Sequence, residues 1–176
     1  MSTVPPPPPP PPPAYQPPAY APAAPSFTYA GFWSRVAARL IDGLIGLLFS
    51  LPGLAFIIAA ATQTEDDVNG DTEFTDAGVA LLVIGLVLLL IGSVIFLILW
   101  MRKLGRGQSW GQKAVGISLV AKDTGRPIGG GRAFLRYIVA SLISGALFGL
   151  GYLWMLWDRD KQCWHDKIMS TVVVEA

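Results

Sequence analysis

The chain has 176 residues, of which 52% are hydrophobic and 14% are charged. Soluble domains carry roughly 25% charged residues, so this composition argues against a water-soluble globular protein and indicates a membrane protein. The net charge of +1 carries little information, because acidic and basic residues are concentrated in different segments. The single cysteine, Cys163, excludes an internal disulfide framework.

The N-terminal segment, residues 1–30, holds 13 of the 15 prolines. Proline fixes φ and offers no backbone donor, so we expect a disordered, semi-rigid polyproline tether without a core. The segment repeats Pro-Pro-Ala-Tyr, ending at Tyr15 and at Tyr20, and this PPxY pattern is one that WW domains bind. It predicts either a polyproline-binding partner or a low-complexity spacer.

Two apolar spans are predicted next, at about residues 33–61 and 77–101. The second contains 24 consecutive uncharged residues, more than the roughly 20 needed to cross a bilayer as a helix. Residues 62–76 hold six acidic and no basic residues, whereas residues 101–136 hold eight basic residues and one acidic residue. Because short loops rich in Lys and Arg stay cytoplasmic, the charges predict an inside N-terminus and an acidic outer loop.

Three glycines of the second span, Gly78, Gly85 and Gly92, recur every seven residues and so share one helix face. Glycine at this spacing lets another helix approach closely in lipid. We therefore predict a helix-packing face, and we expect this face to mediate contact between copies in a homo-oligomer.

Two β-branched runs follow, at residues 115–120 and 171–174, and they can pair as a small sheet only on the same side of the membrane. Between them, residues 137–157 are 21 uncharged residues, enough for one crossing. A single crossing would export three basic residues of the tail, against the positive-inside rule. A re-entrant hairpin is the alternative that satisfies both the charges and the strand pairing.

The sharpest polar feature is the trio Arg35, Arg39 and Asp42, whose spacing places all three on one face of the first helix. Asp42 lies within the apolar run, where an ionisable residue is by default a functional hypothesis with a partner to be named. Arg39 is the local candidate for that partner, and Arg35 or Arg136 are others. A structural ion pair with snorkelling arginines is the alternative interpretation.

Three blocks of sequence resemble the RDD family of bacterial membrane proteins: residues 31–42 (GFWSRVAARLID), residues 108–117 (QSWGQKAVGI), and residues 164–174 with WHDK and TVVV. The resemblance maps the family's arginine to Arg35 and its two aspartates to Asp42 and Asp166. It implies a multi-pass protein of the bacterial inner membrane, of a kind usually described as a possible transporter of unidentified ligands. The proline-rich start is also similar to actinobacterial proline-rich antigens.

Together these features predict an all-α polytopic membrane domain over residues 31–176, with two transmembrane helices, a third hydrophobic segment and a small β pairing at the cytoplasmic face. The leading functional hypothesis is transport of a ligand, or ion and proton handling, through a cluster of Arg35, Arg39, Asp42 and Asp166. The alternative is a membrane-anchored scaffold whose proline-rich segment recruits partners.

Other chemistry has little support in the sequence. Cys163, His165 and Asp166 are metal-capable residue types, but three ligands within four residues do not match the spacing of a zinc site, so neither a metal nor a cofactor is predicted. A nucleophile beside a plausible base is not apparent, so we do not expect an enzyme. Anionic lipid headgroups explain the basic loop more economically than nucleic acid does.

Overall fold

The computed structural model describes residues 26–66, 68–145 and 149–176. The predicted tether and its Pro-Pro-Ala-Tyr repeats lie outside these residues, except for the last five positions before residue 31. Two long helices dominate the fold: α1 (Phe32–Ala60) and α2 (Asp76–Gly105). A small acidic hairpin, β1 (Thr64–Asp66) paired antiparallel with β2 (Thr72–Phe74), joins them. The two predicted helical spans are confirmed as helices.

The remaining elements follow α2 in chain order. They are α3 (Trp110–Ala114), β3 (Ile117–Ala121), α4 (Gly129–Val139), a π-helical turn (Ala140–Gly145), α5 (Leu150–Leu153), a 3₁₀ turn (Trp154–Leu156), α6 (Trp164–Ile168) and β4 (Thr171–Glu175).

Helices α1 and α2 are long and apolar enough to cross a membrane, and they are the two such helices among the described residues. At 1.5 Å per residue each is about 44 Å long. Their most apolar 18-residue windows are only 11% and 6% buried. A helix in the core of a soluble protein would hide this apolar surface, so the exposed sides of both helices are suited to lipid.

The glycines of α2 lie where the two long helices touch. A Cβ at Gly85 would lie 2.9 Å from the backbone nitrogen of Ile57, and a Cβ at Gly92 would collide with the carbonyl oxygen of Phe49. Gly78 instead packs against the backbone of Gln63 at the hairpin end. The three glycines therefore form a helix-packing face, as predicted, but α1 and the hairpin of the same chain occupy it. A homo-oligomer stays a prediction.

A second small sheet lies at the other end of the helix pair. Strands β3 and β4 pair antiparallel, from Ile117 opposite Glu175 to Ala121 opposite Thr171, which confirms the predicted β pairing. The fold is thus mostly helical with two small sheets, and "all-α" was too narrow. Tyr29 bridges to Val174 on the outer edge of β4, so residues just before the predicted domain boundary at residue 30 already bond to this sheet.

The third hydrophobic segment, residues 137–157, is not one continuous helix. Helix α4 ends at Val139, the π-helical turn ends at Gly145, and the short α5 begins at Leu150. The Tyr152 hydroxyl donates a hydrogen bond of 3.3 Å to the Ala140 carbonyl, so the segment doubles back on itself. It returns the chain to the end where β3 lies, which is how β4 reaches its partner strand.

Candidate functional site

The Asp42 carboxylate lies buried where α1, α2 and the start of α3 meet. It accepts hydrogen bonds from the Ser109 hydroxyl at 2.6 Å, the Gly111 backbone nitrogen at 2.7 Å and the Trp100 indole nitrogen at 2.9 Å. Three donors aimed at one carboxylate satisfy it without a cation. Asp42 therefore fastens α3 and α2 to α1.

The sequence block around residue 110 is built for this contact. Ser109 caps α3: its hydroxyl accepts from the Gln112 nitrogen at 3.2 Å, while the Gln112 side chain accepts from the Ser109 nitrogen at 3.1 Å. This reciprocal capping box fixes the Ser109 hydroxyl toward Asp42. Gly111 passes so close to Ala38 that a Cβ would collide with the Ala38 carbonyl oxygen. The Trp110 ring stacks on Phe96 with an interplanar angle of 16°.

Arg39, the predicted partner of Asp42, has a different contact. Its guanidinium carbon lies 4.9 Å from the centroid of the Trp100 ring, a cation–π geometry. Among residues 26–66, 68–145 and 149–176, no ion pair joins Asp42 to an arginine. The prediction of an Arg39–Asp42 pair is wrong: Ser109, Gly111 and Trp100 are the donors to Asp42, and Arg39 lies over the Trp100 ring instead. The exposed Arg39 side chain therefore has no carboxylate partner among the described residues and can bind an anion.

Asp166 is the centre of a second cluster and is fully buried. Its Oδ1 accepts from Arg136 Nη2 at 2.5 Å and Arg136 Nε at 2.9 Å, and its Oδ2 accepts from Arg35 Nη1 at 3.2 Å. The Cys163 nitrogen and the Thr171 hydroxyl complete the set at 3.1 and 3.2 Å. The other terminal nitrogen of Arg35 donates to the Lys161 carbonyl at 2.7 Å. One carboxylate therefore joins α1, α4, α6 and β4.

The arginine and the two aspartates that carry these contacts lie within the part of the chain, residues 29–170, that matches the family model described as the RDD family. The chain belongs to the RDD family.

The chain is also similar to proteins of other bacteria. A "Proline-rich antigen homolog" of Mycobacterium tuberculosis is 34% identical over 159 residues, covering 85% of this chain and 65% of that protein. The "Proline-rich antigen" of Mycobacterium leprae is 30% identical, covering 80% of this chain and 59% of that protein. The chain thus spans about two thirds or less of the length of these mycobacterial relatives.

A Bacillus subtilis protein, "Uncharacterized protein YckC", is 33% identical over 151 residues, covering 84% of this chain and 85% of that protein. No solved structure matches the chain. The long apolar helices and the family membership together identify a membrane-type protein.

The structure divides the predicted RDD cluster into two centres. Arg35 and Asp166 are bonded directly, whereas Asp42 has neutral donors and Arg39 lies on an indole ring. Arg136, which sequence reasoning offered only as an alternative partner of Asp42, is the closest partner of Asp166. Its position among eight basic residues of one loop gave no signal for that role.

Burial and charge fix the protonation states around Asp166. Burial raises the pKa of Asp166, but Arg136, His165 and Arg35 outweigh it and hold the pKa at about 2. Burial, aided by the Arg136 charge, lowers the pKa of His165 to about 4. Burial and the Asp166 charge raise the pKa of the Cys163 thiol to about 12. At neutral pH the carboxylate is therefore ionised, and the imidazole and thiol are neutral.

The side chains of Cys163, His165 and Asp166 offer potential metal ligands within 4.8 Å of one another. Both carboxylate oxygens already accept from guanidinium groups, and the thiol is protonated at neutral pH. A divalent cation would have to displace hydrogen bonds and approach two positive charges, so the electrostatics of this cluster oppose a metal ion.

Both centres face one cavity of about 130 Å³. Three arginines line it, together with one of the two aspartates; its polar lining is Arg35, Arg39, Arg136, Asp42, Ser109, Gln112, Tyr152, Cys163 and His165. Apolar side chains such as Leu104, Met155 and Val173 form the rest of the wall. Two of the three RDD positions, Arg35 and Asp42, therefore line the cavity, and Asp166 is linked to it through its bonds to Arg35 and Arg136.

Proposed function

We propose that this RDD-family protein spans the bacterial plasma membrane twice, through α1 and α2, with the acidic hairpin outside. The basic residues of 101–136 support a cytoplasmic placement of the opposite end. The β3–β4 pairing and the doubled-back segment keep the tail at that same end. Trp33 and Trp157 are exposed there, as expected for an aromatic belt at the membrane interface.

We further propose that the protein takes part in transport of a small anionic ligand, which binds in the cavity that the RDD residues face. The observation that carries this proposal is the charge of that cavity. The guanidinium groups of Arg35, Arg39 and Arg136 line it, and Asp166 bonds to two of them. With Asp42, also in the lining, two carboxylates face three guanidinium groups, so the formal charge is +1. The remaining positive charge acts next to apolar walls, where electrostatic attraction is stronger than in water.

A second feature supports an anion. The Nε of Arg35 is buried and has no hydrogen-bond partner among the described residues. A buried donor without a partner costs free energy unless a ligand or solvent accepts from it. A carboxylate or phosphate oxygen in the cavity would accept this hydrogen bond and add the negative charge that the arginines favour.

The protonation states do not support the predicted proton-handling role of the carboxylates. A proton carrier needs a pKa near the working pH, but the pKa of Asp166 is about 2. Asp42 is held by three hydrogen-bond donors in a separate centre, so the two aspartates do not form a carboxylate pair.

Reconstitution into proteoliposomes tests the transport proposal. Efflux of radiolabelled chloride, acetate and inorganic phosphate is measured for the wild type, Arg39→Gln and the matched control Arg106→Gln. We expect efflux of at least one anion above that of empty liposomes, with loss in Arg39→Gln alone, because Arg106 does not line the cavity. Efflux equal to that of empty liposomes for all three anions, or equal efflux in Arg39→Gln and the wild type, would overturn the proposal.

The scaffold alternative rests on the Pro-Pro-Ala-Tyr repeats, which lie outside the described residues. Deleting residues 1–25 separates the two functions, because it leaves Thr28 and Tyr29, which contact β4, in place. A scaffold loses its cellular phenotype on this deletion and keeps it in Arg39→Gln. An anion transporter shows the opposite pattern.

A further inference from the structure

A groove of about 420 Å³ opens between α1 and α2, beside the cavity of about 130 Å³ described above. Its volume is within the range of roughly 300–1,000 Å³ that ligand pockets occupy. Its lining is Gly43, Gly46 and Ser50 from α1, Ser93, Phe96 and Leu97 from α2, and Arg39, Asp42, Trp100 and Tyr137 at the mouth. The groove therefore has a charged mouth and a mostly apolar length.

The length of the groove matches one leaflet of a bilayer. Arg39 and Ser50 are eleven positions apart on α1, which corresponds to about 16 Å along a helix. The hydrocarbon core of a bilayer is about 30 Å thick, so the groove covers about half of it. With the basic end cytoplasmic, Arg39 lies near the level of the headgroups and Ser50 near the middle of the membrane.

The walls suit a hydrocarbon chain. The Ser50 hydroxyl donates to the Gly46 carbonyl at 3.3 Å, and the Ser93 hydroxyl donates to the Leu89 carbonyl at 2.8 Å. Both hydroxyls thus have hydrogen-bond acceptors within their own helices and need no polar ligand. Gly43 leaves open space, since a Cβ built there meets no atom within 4 Å.

The mouth suits an anion. Arg39 is exposed, and its guanidinium contacts the Trp100 ring but takes part in no ion pair among residues 26–66, 68–145 and 149–176. Guanidinium groups bind phosphate through charge-assisted, often bidentate hydrogen bonds. A cation at the headgroup level above an apolar groove of one-leaflet length is complementary to a single anionic lipid.

We propose that this groove binds one anionic phospholipid of the cytoplasmic leaflet, with its phosphate at Arg39 and one acyl chain along Gly43, Gly46 and Ser50. The assignment rests on the bilayer placement proposed above, but it does not require transport. A water-soluble anion would leave the apolar length empty.

Native mass spectrometry of the full chain in detergent tests the proposal. Phosphatidylglycerol and phosphatidylcholine with identical acyl chains are titrated, and the fraction of lipid-bound protein is measured. We expect the wild type to bind one phosphatidylglycerol in preference to phosphatidylcholine. Arg39→Gln should weaken phosphatidylglycerol binding about tenfold, the effect of losing one charge-assisted phosphate contact, and should remove the preference.

Groove-filling variants test the acyl-chain site. Gly43→Leu and Ser50→Leu place side chains in the groove from its shallow and deep parts, so both should lose retention of either lipid. The control Leu44→Phe adds volume on the neighbouring lipid-facing position, which is 65% exposed, and should bind like the wild type. Circular dichroism melts confirm that each variant is folded.

Unchanged phosphatidylglycerol binding in both folded groove variants would overturn the proposal. Equal binding of the two lipids by the wild type would also overturn it, because the bound lipid would then be annular lipid only. If the lipid series behaves as expected while proteoliposomes show no anion efflux, the transport proposal fails and the lipid site stands. If efflux depends on Arg39 but the wild type shows no preference for phosphatidylglycerol, the lipid proposal fails and the transport proposal stands.

Discussion

Arg35 and Asp166 lie 131 positions apart in the chain, and a hydrogen bond of 3.2 Å joins Arg35 Nη1 to Asp166 Oδ2. The contact links the first turn of α1 to α6 near the other end of the domain. Because Arg136 of α4 bonds to the same carboxylate, three distant parts of the chain depend on one acidic side chain. The two guanidinium groups, whose side chains are 14% and 12% exposed, have no other carboxylate among the described ion pairs.

Asp166→Asn should therefore destabilise the protein strongly. Removing one member of a buried ion pair typically costs 3–5 kcal/mol, since the remaining charges stay buried without compensation. We expect a loss of about 3 kcal/mol in the free energy of unfolding, measured by denaturant titration in detergent micelles. The control is Asp160→Asn, which breaks an exposed pair with Lys122 and should cost less than about 1 kcal/mol. Equal effects of the two substitutions would contradict this account.

Stability should fall on acidification through two titrations. The pKa of His165 is lowered by burial from 6.5 to about 4, so the unfolded state binds more protons between pH 6.5 and pH 4, and the free energy of unfolding decreases as the pH falls through this window. The pKa of Asp166 is lowered from 3.8 to about 2, so its contribution is complete above pH 3.8 and is lost toward pH 2.

Melting temperatures between pH 7 and pH 3 measure this dependence. The wild type should lose stability from about pH 6.5 downward, whereas His165→Phe should remain flat to about pH 4 and fall only below it. A wild-type melting temperature that stays constant from pH 7 to pH 4 would show that His165 is not held neutral by its surroundings.

Gly92→Ala should separate the two long helices. The added Cβ would occupy the position of the Phe49 carbonyl oxygen, and neither backbone can yield as a flexible side chain would. Overpacking of this kind costs about 1–3 kcal/mol, so we expect a lower melting temperature in detergent. Gly43→Ala is the matched control: its Cβ has open space, and alanine is a better helix former by about 1 kcal/mol. A melting temperature of Gly92→Ala at or above that of Gly43→Ala would contradict the packing assignment.

Membrane sidedness can be read with an impermeant maleimide. The native Cys163 is buried and its thiol pKa is about 12, so the wild type should stay unlabelled on both sides. Cysteines introduced singly at exposed positions show on which side of the membrane each position lies. Val68→Cys in the acidic hairpin should label on intact cells, and Asp123→Cys and Arg159→Cys should label only after permeabilisation. Labelling of Arg159→Cys on intact cells would show that residues 137–157 cross the membrane.

Much of the fold follows from local sequence signals. Uncharged runs predict the two long helices, and β-branched runs predict the pairing of β3 with β4. The partners of Asp42 could not be found in this way, because helix-face reasoning offers only neighbours on the same helix. The sequence does contain one signal for such a partner, the capping box of Ser109 and Gln112, but it lies 67 positions from Asp42. Only the fold shows that this box points its hydroxyl at Asp42.

The placement of Asp166 and β4 after every other element has a consequence for biosynthesis. Helices α1 and α2 leave the ribosome before α6 does, so they can enter the bilayer while Arg35 and Arg136 still lack their carboxylate. Strand β4 then adds beside β3 and encloses Asp166 against both arginines. The cluster can therefore be completed only after residue 166 has been synthesised, and a chain interrupted before that point would keep Arg35 and Arg136 without their shared carboxylate.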